Sequence, residues 1–355
     1  MPRTPRDPVL SYPDVVPNFL CTYHCLFAFH DLCFCFLLVT ELGATSAILM
    51  NAALKLNTKR TYTSAQSRFL KFCAMYKLVA MPVTEDTLLL YVSFLFEEGL
   101  VGASIRVYLS AVRSLHIFAG ERYPIELHRV KLALKGAVRS TAAPIRKLPI
   151  TITVLKKMLP KVCPRFDGAV LQAAMTLAFF GCMRMGEICV PDSMPFSPVL
   201  HVNWGDVTLD KPNKSLSIFL RRSKTDKNNV GVHVHVGCSG HDLCCAYCAM
   251  LSYMHVVESY NFPIDDTSPL FMLPGGRALY KSYMTSATKL SLNLAGFPAQ
   301  NYSGHSFRAG AATTAGDNNF KDWEIKLLGR WKSPAYNIYL RNPKVASTFA
   351  CRLVS

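Results

Sequence analysis

Residues near the C-terminal end of the chain have side chains suited to phosphate chemistry. His305 and Arg308 lie in the stretch Gly304-His305-Ser306-Phe307-Arg308, and Trp331 and Tyr339 follow. The imidazole, guanidinium and indole groups offer N–H donors, which suit an anion. A phenol can attack phosphorus and be held as an ester. The stretch therefore has the residue types needed to bind a phosphate and to form a covalent link to it.

Local signals place these residues on short helices. His305 and Arg308 are spaced i, i+3, so they share one face of a predicted helix that continues through 309–315. A second helix is predicted over about 320–328, and it ends at Gly329. The two helices would bring the donors into one part of the fold.

A last short helix is predicted to carry two tyrosines. Ser333 suits an N-cap and Pro334 the first helical position, and Tyr336 and Tyr339 follow at a spacing of i, i+3. The alternative is that the pattern arises by chance and that the aromatic residues belong to a core. The rest of the chain has to decide between these interpretations.

Composition narrows the class of protein. A chain of 355 residues is long enough for two domains, each with its own core. The net charge of +16 favours a polyanionic partner such as nucleic acid or a membrane surface. The 13 cysteines are irregularly spaced, and several lie in apolar runs. They do not form a disulfide framework, which indicates a reducing compartment.

The first 44 residues differ from the rest. The apolar stretch Phe19–Val39 is long enough to raise the question of a membrane span, but His24, His30 and Asp31 lie inside it, where charge is costly. A signal peptide is disfavoured because the start is rich in proline and arginine. Four cysteines in this stretch match no standard zinc finger. We interpret 1–44 as an apolar extension of unknown role.

The segment 45–136 is predicted to be a small helical bundle. Its four predicted helices are Ala47–Leu56, Ala65–Tyr76, a helix opened by Thr84 that runs to Phe96, and one opened by Ser104 that runs to Phe118. Basic residues fall among its polar positions, including Lys59, Arg60, Arg106 and Arg113. These side chains either face phosphates or form a solvated face.

A basic run follows. Residues 127–166 contain ten Lys or Arg and no Asp or Glu, and Ser140–Pro144 has the composition of a linker. Arg146 and Lys147 come directly after it. A run of one sign between two globular parts suits a chain that lies along a phosphate backbone, and a solvated linker is the alternative.

The second half has two further basic residues in distinctive positions. An apolar helix is predicted over Ala169–Phe180, and Arg184 follows it, with Glu187 three residues later. Glu187 either pairs with a buried Arg184 or orients it toward a ligand. Alternating residues at Ser215–Leu220 and Gly231–Val236 predict two strands of a hairpin, with Lys224 near its tip.

Five potential metal ligands follow the hairpin. They are Cys238, His241, Cys244, Cys245 and Cys248. Structural zinc sites usually join two separated pairs of ligands, whereas these five lie in one short run. A loop followed by a helix start is therefore the favoured interpretation, and zinc binding is the less favoured one.

Taken together, these blocks make the chain resemble the tyrosine recombinases, the phage-integrase superfamily. The branch carried by eukaryotic mobile elements of the DIRS and Crypton kind looks closest. The resemblance spans about 45–343, and it rests on four blocks in order, which are Ala178–Glu187, Ser223–Asp226, Gly304–Arg308 and Leu328–Ser333 leading to Tyr339.

The resemblance implies roles for individual residues. Arg184 and Arg308 match the two arginines that clamp the scissile phosphate, a task suited to planar guanidinium forks. His305 matches a further donor that can accept the tyrosine proton. Lys224 matches the hairpin lysine that protonates the departing 5′ oxygen. Trp331 falls where many relatives have histidine, and an indole N–H can donate but cannot shuttle a proton.

Tyr339 matches the nucleophile, whereas Tyr336 is too close to Trp331 and is expected to pack. The implied reaction is a DNA strand transfer of the topoisomerase IB kind, through a 3′-phosphotyrosyl link and a free 5′ hydroxyl. The resemblance implies no metal, because a cluster of cationic side chains can replace it. It also implies no cofactor and no ATP, because the bond energy stays in the ester.

The resemblance also implies an architecture and partners. The expected fold is mainly α, with a helical, SAM-like core-binding bundle and an α+β catalytic domain that has a small antiparallel sheet. The expected divisions are 1–44, 45–136, a basic linker 137–148 and a catalytic domain 149–355. Double-stranded DNA is the expected partner, with a homo-oligomer, dimer to tetramer, on it.

A nuclear location is expected from the DNA substrate and the reduced cysteines.

Two other classes of protein stay open. One is an inactive DNA-binding protein descended from a recombinase of a mobile element. The other is a protein anchored to a membrane through 19–39 or binding zinc through 238–248.

Overall fold

The chain forms two compact units, residues 1–144 and 145–355. The computed structural model describes residues 42–142, 146–162, 166–223, 226, 230–241 and 244–339. The apolar stretch Phe19–Val39 and the hairpin residue Lys224 lie outside the described residues. The described part is mainly helical with small antiparallel sheets, which confirms the expected fold class. None of its helices is both long and apolar enough to cross a bilayer.

The first unit is a helical bundle. Its helices are α1 (42–52), α2 (Leu56–Tyr76), α3 (Glu85–Glu97), α4 (Gly102–Ala119) and α5 (His128–Ser140). The buried rings of Phe69, Phe72 and Tyr91 form the centre of its core, and the Tyr91 centroid is 5.1 Å from that of Phe69 and 5.0 Å from that of Phe72. Thr84 caps α3 as predicted, because its hydroxyl accepts the backbone N–H of Thr87 at 3.2 Å.

Three predictions for this unit are wrong in detail. Lys59 and Arg60 lie inside α2, whereas the predicted helices ended at Leu56 and resumed at Ala65. Helix α4 begins at Gly102, two residues before the predicted opener Ser104. Helix α5 was not predicted, and it includes residues 137–140 of the expected linker.

Helix α5 also changes the interpretation of the basic run. Arg129 pairs with Glu85 at 3.1 Å and with Asp86 at 2.7 Å, both on α3. Acidic partners therefore come from outside the run. Val130 and Ala137 are buried seven residues apart, which is two turns of one helix face. That spacing was the signal for this helix.

The second unit surrounds the buried helix α7. In chain order its helices are α6 (Ile152–Met158), α7 (Phe166–Phe180), α8 (Met185–Ile188), α9 (Ala246–Ser259), α10 (Lys281–Leu294), α11 (Ser306–Asp317) and α12 (Asp322–Gly329), and a 3₁₀ turn spans Pro334–Tyr339. Helix α7 is apolar on nearly all sides, and it packs against α9 and α11. A helix of this kind belongs in the centre of a core.

A three-stranded antiparallel sheet accompanies these helices. Its strands are β1 (Val207–Asp210), β2 (Ser215–Leu220) and β3 (Val232–Gly237), in the order β1-β2-β3, and a separate pair joins β4 (Met272–Leu273) to β5 (Arg277–Ala278). Strand β2 has the predicted bounds and alternates buried with half-buried residues. Strand β3 starts one residue later than predicted, since Gly231 has a φ of +80°. Strand β1 was not predicted.

A close backbone approach fixes α11 against the segment before α6. The backbone N–H of Ile150 donates to the carbonyl of Ser306 at 2.9 Å. A Cβ added to Gly310 would lie only 1.7 Å from the carbonyl oxygen of Ile150. Glycine at 310 therefore lets the helix that carries Arg308 lie directly on this segment.

Candidate active site

Arg184 lies at the turn between α7 and α8. Cys182 in this turn has a φ of +45°, and Arg184 is the N-cap residue of α8. The backbone N–H of Arg184 donates to Glu187 Oε2 at 2.9 Å, and its guanidinium donates to Oε1 at 2.6 Å. Glu187 is therefore the ion-pair partner of Arg184, which is the first of the two alternatives.

Glu187 pairs with a second arginine that the sequence analysis did not single out. Arg330, directly after α12, donates to Glu187 Oε2 at 3.0 Å and to the carbonyl of Gly181 at 2.9 Å. The Glu187 side chain is only 4% exposed. We call Arg184, Glu187 and Arg330 the Glu187 cluster. Arg330 lies beside Trp331 in the fourth sequence block, and this position was the available signal.

The electrostatics of the Glu187 cluster favour an ionised carboxylate. Burial by itself raises the pKa of Glu187. The charge of Arg330, the backbone N–H of Arg184 and the charge of Arg184 outweigh burial, so the pKa lies below its ordinary value. Two cations and one anion leave this cluster with a positive charge.

Arg308 occupies a different environment nearby. The residue is 2% exposed, and its guanidinium donates to the carbonyl oxygen of Cys182 at 2.5 Å and to that of Gly329. It also stacks on Trp331, with its Cζ atom 4.4 Å from the ring centroid. We call Arg308 with Cys182, Gly329 and Trp331 the Arg308 pocket.

The Arg308 pocket holds its cation with neutral groups. Among the described residues, no carboxylate forms an ion pair with Arg308. Burial lowers the pKa of Arg308 below its ordinary value. Burial also raises the pKa of the Cys182 thiol to about 11, so this neighbour is neutral at physiological pH. The pocket therefore carries a full positive charge in the interior.

Trp331 connects the pocket to both tyrosines. A Cβ on Gly329 would lie 1.8 Å from the indole ring, so glycine is what allows the ring to fold back over the end of α12. The ring centroid of Trp331 is 5.7 Å from that of Tyr336 and 6.0 Å from that of Tyr339. The indole thus contacts both the Arg308 guanidinium and the ring of Tyr339.

The two tyrosines differ in burial. Tyr336 is 1% exposed and belongs to a small core with Ala312, Ala315 and Ile325. Tyr339 is only partly buried, and its carbonyl accepts the hydroxyl of Thr313 at 2.7 Å. Both lie on the 3₁₀ turn, where residues three apart project on the same side. Tyr339 is the more accessible phenol.

His305 and Lys224 complete the set of predicted residues. His305 is the N-cap of α11 and is exposed, unlike the buried Arg308 three residues later. The position of a Cβ on its neighbour Gly304 is 3.4 Å from the side chain of Met185, beside Arg184. Lys224 falls outside the described residues. The adjacent Ser223 donates to Glu187 Oε1 at 3.1 Å, so this end of the hairpin reaches the cluster.

The first unit has a basic groove of its own between α4 and α5. Arg106, Lys131, Lys135 and Arg139 line it together with Leu134 and Val138. The three basic residues of α5 are spaced by four and so share one helix face. Of the predicted DNA-contacting residues, Arg106 and Arg113 are exposed on α4, Arg60 is exposed on α2 and Lys59 is half-buried.

The remaining two predicted contacts, Arg146 and Lys147, are exposed at the start of the second unit. Lys147 also donates to the carbonyl of Gln300 at 2.7 Å.

The potential metal ligands separate into two groups. The Sγ atoms of Cys238, Cys245 and Cys248 lie within 4.8 Å of one another. Cys244 is buried and is not part of this group, and His241 is exposed in the same loop. The segment is a loop followed by the start of α9, as favoured from the sequence, yet it brings three thiols together.

Comparison with known proteins finds a protein with a similar sequence and several solved structures with a similar fold. No profile of a known protein family matches the chain. An integrase/recombinase XerD homologue of Selenomonas ruminantium is 22% identical over 286 residues, covering 78% of this chain and 79% of the relative.

Among solved structures, the Tn1549 transposon integrase in complex with transposon right end DNA has a TM-score of 0.58 at 14% identity, covering 88% of this chain and 98% of that one. The XerH site-specific recombinase bound to difH substrate has a TM-score of 0.57 at 17% identity, covering 83% of this chain and 79% of that one. A lambda integrase dimer bound to a COC′ core site has a TM-score of 0.55 at 16% identity, covering 85% of this chain and 77% of that one. The chain therefore has the fold of these recombinases and integrases, and its sequence is similar to that of the XerD homologue.

Proposed function

We propose that this protein is a site-specific DNA recombinase that cuts and rejoins strands through a 3′-phosphotyrosyl intermediate at Tyr339. One observation carries the proposal. Two arginines pair with the buried Glu187, a third buried arginine forms no ion pair with a described carboxylate, and the indole stacked on that third arginine also contacts the candidate nucleophile.

Charge is the first argument. Arg184 and Arg330 share the carboxylate of Glu187, and Arg308 adds a third cation, which leaves two positive charges in a partly buried site. An uncompensated buried cation is costly, and an anion relieves that cost. A phosphodiester is such an anion, and planar guanidinium forks match its oxygens.

Access is the second argument. Arg308 is 2% exposed under Trp331, so a phosphate reaches it only when the indole or the turn Pro334–Tyr339 moves. The 3₁₀ turn is held through the hydroxyl of Thr313 and through ring contacts with Trp331. We therefore expect DNA binding to rearrange this turn and to bring the Tyr339 phenol to the phosphate.

In the proposed reaction each bond and each proton has a defined source and destination. The Tyr339 oxygen attacks the scissile phosphorus, the new O–P bond forms, and the bond to the 5′ oxygen breaks. His305 accepts the phenolic proton, and Lys224 supplies a proton to the departing 5′ oxygen. Arg184 and Arg308 stabilise the charge on the non-bridging oxygens. Trp331 contributes an N–H donor only. Attack by another 5′ hydroxyl reverses the step on a new strand.

Double-stranded DNA is the proposed partner. The solved relatives include recombinases bound to DNA and a lambda integrase dimer on its core site, which supports double-stranded DNA and assembly on it. The basic groove of the first unit offers four cations for phosphate contacts. A role in the integration of a eukaryotic mobile element of the DIRS or Crypton kind, in the nucleus, is the narrower form of the proposal.

The second candidate function is DNA binding without catalysis. It rests on the buried state of Arg308, which a decayed site would also tolerate. The filled candidate positions Arg184, Lys224, His305, Trp331 and Tyr339 favour catalysis.

Covalent trapping separates the two. The target sequence is unknown, so the full chain is incubated with a pool of nicked duplexes of randomised sequence, denatured, and assayed for protein-linked DNA. Wild-type protein and Tyr336→Phe should form a 3′-phosphotyrosyl adduct, and Tyr339→Phe should form none. An adduct that survives in Tyr339→Phe contradicts the nucleophile. Selective, salt-sensitive binding without any adduct supports the non-catalytic candidate.

A further inference from the structure

Three cysteines of the second unit meet at one point. Cys238 directly follows β3, Cys245 is the N-cap residue of α9, and Cys248 lies in the first turn of that helix. The Sγ of Cys238 is 3.7 Å from that of Cys245 and 3.8 Å from that of Cys248. None of the residues used in the proposed reaction belongs to this group, and that reaction gives it no role.

The spacing of the sulfur atoms matches that of the ligands of a tetrahedral zinc ion. A tetrahedral zinc ion with Zn–S bonds of about 2.3 Å places its sulfur ligands about 3.8 Å apart. The two measured distances agree with this edge length. A disulfide would need a sulfur separation of about 2.0 Å, so the thiols are not arranged as a bonded pair.

Backbone N–H groups already point at the sulfur atoms. The N–H groups of Ser239 and Cys248 donate to Cys245 Sγ at 3.3 and 3.5 Å, and that of Gly240 donates to Cys238 Sγ at 3.5 Å. Donors of this kind stabilise thiolates, which are the form that binds metal, and they hold ligands in position. This is an observation independent of the sulfur spacing.

The same loop carries a candidate for a fourth ligand, whose ring nitrogens are not within 4.8 Å of all three sulfur atoms and which would turn toward them on binding. His241 is exposed three residues after Cys238, as Cys248 is three residues after Cys245. The run therefore consists of two ligand pairs of equal spacing, joined by three residues. Three thiolates and one imidazole are a standard donor set for structural zinc. Softer thiolate ligands also favour zinc over magnesium or calcium.

We infer that Cys238, Cys245 and Cys248 bind a structural zinc ion, with His241 as the fourth ligand. The ion fastens the end of β3 to the start of α9. Helix α9 packs on α7, which leads into the turn that carries Arg184. The zinc site thus stabilises the scaffold behind the candidate active site, and it takes no part in the strand transfer.

Metal content of the purified full chain tests the inference. Cys238→Ser and Cys248→Ser should each contain about one zinc ion fewer per chain than wild type, measured by mass spectrometry of the metal. Cys244→Ala is the matched control, because Cys244 is buried in the same segment and its thiol is not in the cluster. The comparison is between variants, since other cysteines of the chain can also bind metal. Circular dichroism establishes that each variant is folded.

Cobalt substitution provides a second readout of the ligands. Co²⁺ bound in place of zinc should show thiolate charge-transfer bands and the strong visible bands of tetrahedral geometry in wild type and Cys244→Ala. Both should be lost in Cys238→Ser and Cys248→Ser. His241→Ala should lower zinc affinity by more than about tenfold, which is the least that even outer partners contribute.

Three outcomes would overturn the inference. One is equal zinc content in folded wild type and both serine variants. Another is a Cys238–Cys248 or Cys238–Cys245 disulfide in the non-reduced peptide map of protein purified under reducing conditions. An unchanged zinc affinity in His241→Ala would remove His241 as the fourth ligand.

Discussion

The Glu187 cluster and the Arg308 pocket hold buried arginines in opposite ways. In the Glu187 cluster a carboxylate with a 4% exposed side chain accepts hydrogen bonds from two guanidinium groups. In the Arg308 pocket two carbonyl oxygens and an aromatic face surround one guanidinium. The first region compensates charge with charge, and the second only with dipoles and a π system.

This difference suggests that one region stabilises the fold and the other binds phosphate. The Glu187 cluster joins the turn after α7 to the residue after α12, so it holds two distant parts of the chain together. The Arg308 pocket keeps a cation for which the described residues provide no counter-ion. We therefore expect the cluster to dominate stability and the pocket to dominate phosphate chemistry.

The largest expected effect is the loss of the shared carboxylate. Glu187→Ala leaves Arg184 and Arg330 without their buried partner, and this should lower the free energy of unfolding by about 3–5 kcal/mol, measured by urea denaturation. Asp322→Ala is the control, because Asp322 forms an exposed pair with Lys326, and it should change stability by less than about 1 kcal/mol. Equal losses in the two variants would contradict a structural role for the cluster.

The next effect should appear in activity rather than stability. Arg308→Lys keeps the charge but loses the planar fork, and it should slow covalent adduct formation by about 10²–10³-fold, assayed with a nicked duplex at saturating DNA. Arg277→Lys, an exposed change on β5 of the same unit, should leave the rate unchanged. A fast Arg308→Lys enzyme with a large loss of stability would reverse the roles assigned to the two regions.

The smallest effect concerns pH. The pKa of Glu187 is lowered in the folded state, so its stabilisation is present above the unfolded value of about 4.3 and is lost as pH falls through the lower folded value. The contribution to the slope is at most about 1.4 kcal/mol per pH unit. Urea unfolding between neutral and acidic pH should show a shallower acid loss in Glu187→Gln than in wild type. Parallel pH profiles would mean that Glu187 does not titrate differently in the folded state.

Local sequence patterns predicted the elements that carry the site. Helix α7 is a long apolar run and α11 a run of mostly small residues, and these two and α12 end near glycine or a polar run, so their approximate bounds followed from the sequence. Strand β1 is short and only half-buried, and its pairing with β2 is a tertiary contact, so its pattern was too weak to predict. Helix α5 carries a 3.6-residue pattern that was outweighed by its positive charge.

The amino-acid sequence by itself predicted which side chains take part in the proposed reaction, from the order and spacing of Arg184, His305, Arg308, Trp331 and Tyr339. It could not determine which arginine is neutralised. Arg184 and Arg330 are 146 positions apart, and only the folded chain brings both to Glu187. It also could not show that three of five clustered ligands converge. Spacing along a chain fixes local faces, whereas charge pairing and burial depend on the packing of distant segments.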